Sequence, residues 1–142
     1  LKRAFDQWQV TTFASTAELK AAMHQPDPQN VRIGMVTSSG AHVLSRPRKK
    51  DELDVPVLHQ EVLTGLLNIT EEAVREEHFI TYVRGIAAAI AEVREKGAQV
   101  AFLLDPTPID DMARIAFNGG VMPQKSTDFF PKLLTGITIY KL

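Results

Sequence analysis

The sequence predicts a mixed α/β fold: a central, mostly parallel βαβ sheet with an antiparallel hairpin and a C-terminal edge strand, helices packed on it. Three observations lead there. "HFITYV" (78–83), an Ala-rich helical stretch and "QVAFLL" (99–104) follow one another with short joints, the pattern of a right-handed βαβ unit. "VRIGMV" and "AHVLSR" flank Thr37-Ser38-Ser39-Gly40, the pattern of a hairpin. "GITIYKL" (136–142) alternates in polarity as a final strand should.

Each element has its own local cause. "QWQVTTF" (7–13) mixes β-branched and aromatic residues and reads as a strand. Ser15 caps the helix that follows, with Glu18 completing a capping box and Leu19, Ala22 and Met23 on one face. "HQPDPQN" (24–30) breaks it, and after the hairpin "RPRKKDE" (46–52) reads as a solvated polar connector. Asp54 is expected to cap the next helix, which has Pro56 in its first turn and an apolar face of Val55, Leu58, Val62, Leu63 and Leu66. A short acidic helix, "TEEAVREE" (70–77), precedes the strand at 78–83. Ile86, Ile90 and Val93 stripe the Ala-rich helix, and Gly97 ends it. The 99–104 strand is almost wholly apolar, as expected when both faces are buried. Thr107 then reads as a cap with Pro108 first and Asp110 third, turning Ile109, Met112, Ala113 and Ala116 inward.

At 142 residues the chain predicts a single domain over 1–142. Within it, 1–50 is a strand–helix–hairpin lobe and 51–142 a helix plus a βαβα-loop-β core. It opens on Leu1, which suggests the C-terminal fragment of a longer protein. A net charge of −1 gives no global field for nucleic acid. Zero cysteines exclude disulfides and thiolate chemistry and fit a reducing, cytoplasmic setting. No apolar run nears the ~20 residues that cross a bilayer, so no membrane partner is expected. No two histidines have ligand spacing; no metal site is expected, and the sequence names no cofactor.

"GGVMPQKST" (119–127) comes within one residue of a phosphate-binding P-loop, with Gln124 where the second glycine should stand. A helix precedes it where a strand is needed, Pro123 removes an N–H donor, and Pro131 forbids a long helix after it. It is not a P-loop. In the order "LDV-x-VLH", "YVRG", "AFLL-x-PT" and "MPQKST-x-F-x-PK", however, the chain resembles the bacterial and archaeal family called domain of unknown function 1015, over residues 53 to 142. Asp105 stands where that pattern has Asn, and Asp128 and Phe130 where it commonly has tyrosines. The resemblance implies the C-terminal half of a longer protein and no established reaction.

Ligands in parallel α/β sheets bind beyond the carboxyl ends of the strands. Parallel strands ending at Val83 and Leu104 would place Arg84 on one rim with Asp105 and Thr107. The loop Gln124, Lys125, Ser126 and Thr127 would join them if Gly119-Gly120 reversed the chain. Arg84 and Lys125 would then hold a phosphate or carboxylate. His59, on the apolar face of its helix, is either a buried structural histidine or a neutral base facing the pocket. The same residues have plainer readings: an Arg84–Asp105 ion pair, Thr107 as a cap, Lys125 as a solvated amine. The leading functional reading is a domain that binds a small anionic metabolite, with no complete catalytic constellation of its own. One alternative is part of a phosphotransferase acting on a hydroxy amino acid such as serine. Another is a structural or dimerisation module in which Phe129 and Phe130 pack against a second subunit.

Overall fold

The computed structural model describes residues 7–76 and 79–122. The chain divides into two compact units, Leu1–Pro106 and Thr107–Leu142. The first contains strands β1 (Gln9–Phe13), β2 (Asn30–Thr37), β3 (Gly40–Pro47) and β4 (Val100–Leu104). Its helices are α1 (Thr16–Met23), α2 (Asp54–Val57), a π-helix (Leu58–Thr64), α3 (Glu71–Arg75) and α4 (Ile86–Glu95).

The sheet is antiparallel throughout, in the order β1-β3-β2-β4. The expected hairpin is present, with β2 and β3 paired from Asn30↔Pro47 to Thr37↔Gly40. The expected parallel βαβ core is not. β4 runs antiparallel to β2, from Ile33↔Leu104 to Thr37↔Val100, and residues 79–83 form no strand. Phe79, Tyr82 and Val83 are instead 78%, 40% and 38% exposed. Part of the cause lies in β2. Gly34 sits opposite Leu103, and a Cβ there would come within 2.9 Å of the Leu103 Cβ, so the missing side chain makes room for β4. The final strand expected at 136–142 lies outside the described residues.

Strand periodicity distributes the core to both faces of this sheet. On one face Val31, Ile33 and Leu44 pack with Trp8 and with Val57, Leu58, Val62, Leu63 and Val74 of the α2–π-helix–α3 layer. On the other, Val36, Ala41, Val43 and Leu103 meet Leu19 and Met23 of α1 and Ala89 of α4. β4 ends the described sheet, and only Leu103 of its five residues is buried, so the expected burial on both faces does not hold.

The helix ends show how far local chemistry decides. Ser15 Oγ accepts from the Glu18 N–H, and the Glu18 carboxylate accepts from the Ala14 N–H, one residue earlier than the reciprocal capping box predicts. Thr70 caps α3 in the same way, through the Ala73 N–H. Asp54 is not a cap: Leu53 occupies that position and Asp54 opens the helix. Gly97, at φ 84°, follows the end of α4 as expected.

The second unit contains α5 (Ile109–Phe117). Its N-cap is Pro108, without a side-chain hydrogen bond, so Thr107 is not the cap. None of its residues is buried; Ile109 is 74% exposed and Ala116 is also exposed, against the expected inward face. Gly119 stands in the left-handed region at φ 73°, with its N–H on the Ala116 carbonyl and the Gly120 N–H on the Ile115 carbonyl. This is a Schellman ending, so the glycine pair that mimics a P-loop terminates a helix.

Candidate functional site

Antiparallel pairing brings the start of β2 and the ends of β3 and β4 to one end of the sheet, and the sequence places arginines there. Arg46 lies near the end of β3 on the same face as Leu44, and only 7% of it is exposed. Its Nε donates to Glu61 at 3.0 Å and its Nη2 to Glu61 at 2.6 Å. Both Nη atoms donate to Glu52 at 2.8 Å. The guanidinium also lies 5.2 Å from the centre of the Trp8 ring. Nη1 also donates to the Pro47 carbonyl at 3.0 Å, so all five N–H donors of this buried cation are engaged, which is what burial of a charge requires. Hydrogen bonds from Arg46 hold the Glu52 carboxyl down to about 2, against the opposing effect of burial.

Arg48, two residues on, donates to the Glu52 and Asn30 carbonyls and lies 2.6 Å from Asp54 Oδ1. Burial pushes the Asp54 carboxyl up, Arg48 opposes this, and the charges of Asp105 and Glu52 reinforce it. From β2, Arg32 donates to the Ala22 and Met23 carbonyls at the end of α1 and to Asp105 at 2.8 Å. Arg32 Nε is buried and has no hydrogen-bond acceptor among the described residues.

The expected site residues are redistributed. Asp105 does sit at a strand end, but β4 delivers it to Arg32. The ledge meant to bring Arg84 beside it depended on a parallel strand ending at Val83, and 79–83 form none. Thr107 belongs to the second unit. Gln124, Lys125, Ser126 and Thr127 lie outside the described residues, as do Phe129 and Phe130. His59 is half-buried on the π-helix, where burial lowers its proton affinity and Glu71 partly restores it. A neutral imidazole there accepts or donates a hydrogen bond near neutral pH. Among the described residues no cluster of three or more His, Asp or Glu side chains is arranged to hold a metal ion. No helix among them is long and apolar enough to cross a membrane.

Sequence reasoning misses the arginine end because "RPRKK" has the composition of one solvated run. Strand parity carried the missing signal: position 46 falls in step with Leu44 and so faces the core. No family model, curated protein or solved structure matches the chain.

Proposed function

We propose that the chain binds a small anionic metabolite, phosphorylated or carboxylated, at the arginine end of its sheet. The observation that carries this reading is the unmatched Arg32 Nε. Buried donors are nearly always satisfied, and an oxyanion is the natural partner of a guanidinium edge. Arg48, with a quarter of its side chain exposed, and the exposed Lys49 and Lys50 add positive groups in the same stretch of chain. The carboxylates at this end are engaged by arginines, and the described residues supply no complete nucleophile–base–oxyanion arrangement. Binding is therefore proposed without turnover. The kinship with the domain of unknown function 1015 family belongs to the same proposal and rests on the four sequence motifs.

Thermal unfolding in the presence of inorganic phosphate and of small mono- and dicarboxylates tests the reading. A ligand at a hundredfold excess over Kd stabilises the fold by about 2.7 kcal/mol. Arg32→Lys, which keeps the charge and removes the planar edge, should abolish the shift. A wild-type chain indifferent to all of these anions contradicts the proposal.

A second reading, association, draws on the exposed apolar side chains. Phe79 in the first unit and Ile109, Phe117 and Val121 in the second are 78%, 74%, 89% and 91% exposed. Apolar exposure of this kind marks interaction surfaces. Mass in solution that rises with concentration would favour it.

A further inference from the structure

Among the described residues the sheet ends at β1 on one side and at β4 on the other. The two edges differ. β4 lends side chains to both cores: Phe102 and Leu104 pack against one, Ala101 and Leu103 belong to the other, and none of its residues is exposed. β1 is open. Gln9, Val10, Thr11 and Thr12 are exposed and only Phe13 is half-buried.

An edge strand presents the N–H and C=O groups of every second residue along its outer side, ready to pair with another extended chain. Natural edges are commonly blunted by lysine, proline or a bulge. β1 has none of these: "QVTTF" contains no charge and no proline, and its register with β3 runs unbroken from Gln9↔Ser45 to Phe13↔Ala41. Thr12 Oγ1 also meets His42 Nδ1 at 3.0 Å, a side-chain tie that fixes β1 on β3 and leaves its outer side as a preformed template.

We propose that β1 is a pairing edge for a second copy of this chain, joined antiparallel about a two-fold axis at Thr11. A two-fold contact uses one patch twice, so the patch has to complement itself. From Gln7 to Ala17 no residue is charged, and no like charges meet across the axis. The pairing sets Thr11 against Thr11 of the partner subunit, Val10 against the partner's Thr12 and Gln9 against the partner's Phe13. β-branched pairs of this kind suit an antiparallel ladder, and Val10, 45% exposed in the single chain, is covered by them. Five residues a side are fewer than the roughly 20–30 of a standard stable interface, so the pairing is weak and grows with concentration. It does not depend on the anion site.

Sedimentation velocity of the full chain over a rising concentration series tests the proposal. Mass should climb from 15.8 kDa towards twice that value. Thr11→Lys and Thr11→Asp, at an exposed position, should each stay monomeric where the wild type pairs, because like charges then meet on the axis. An equimolar mixture of the two variants should pair again. Amide hydrogen exchange gives a measure without substitution: the outward N–H groups of β1 should gain protection as the wild type is concentrated. Association through Phe79 or Val121 would be indifferent to both variants. A wild type that stays monomeric, single variants that still pair, a mixture that does not, or β1 amides unmoved by concentration would each overturn the proposal.

Discussion

Arg46 shows what a single side chain contributes when its surroundings are built for it. A long cation on a strand normally extends its head to water; this one lies under the π-helix with Trp8 against its face and two carboxylates around its edge. Such an arrangement is a weak net stabiliser, because two acids and one base have left water to make it. Its removal is another matter, since Glu52 and Glu61 would stay behind without their cation. Arg46→Ala should therefore cost about 3–5 kcal/mol, measured by urea unfolding. Trp8, the chain's one tryptophan, reports it directly through its emission. A loss under ~1 kcal/mol would mean that the pair behaves as an exposed ion pair. The β2–β3 hairpin was legible in sequence from two apolar runs flanking a polar turn; the partners of Arg46 were not. Glu52 and Glu61 sit 6 and 15 residues away, in the connector before α2 and on the π-helix, and no local pattern links them.

At the scale of the element, the segment after α2 departs most from expectation. The sequence pattern predicts one ordinary helix from Asp54 onward, and its apolar face is right in part: Leu58, Val62 and Leu63 are buried, Val55 and Leu66 are only partly so, and Val57, off that face, is buried. The winding is wider, with the Gly65 N–H on the Gln60 carbonyl and the Leu67 N–H on the Val62 carbonyl, five residues back in each case. Gly65 makes this ending feasible. A Cβ there would lie 2.6 Å from the Glu61 carbonyl oxygen, a backbone atom that cannot step aside. Gly65→Ala should consequently destabilise the fold by about 1–3 kcal/mol, the range of steric overpacking, whereas an ordinary helix would gain from that change. Denaturant unfolding distinguishes the two signs. Periodicity did not reveal the wide turn, since spacings of four and five residues bury similar side chains in either winding. Of the three expected caps, Ser15 holds and Asp54 and Thr107 do not; Ser15 works through one side-chain oxygen and a backbone N–H three residues on, a fully local device.

For the whole molecule, the lesson concerns which strand finds which. Strand, helix and strand in close succession predict a parallel pair, and two of the three elements exist, α4 and β4. The third does not, and β4 pairs with β2, more than sixty residues earlier in the chain. Nothing local encodes that choice; a glycine gap opposite Leu103 and two half-covered faces do, and both are properties of the assembled sheet. The consequence reaches the candidate site. With β4 antiparallel to β2, Asp105 meets Arg32; with β4 parallel to a strand at 78–83, it would have met Arg84. Proton NOE spectroscopy on the chain in solution decides between them. The antiparallel sheet predicts close Hα–Hα contacts between β2 and β4 along the register from Ile33↔Leu104 to Thr37↔Val100. Cross-peaks in a parallel pattern between β4 and residues 79–83, without those to β2, would contradict the fold and remove the Arg32–Asp105 pair from the arginine end.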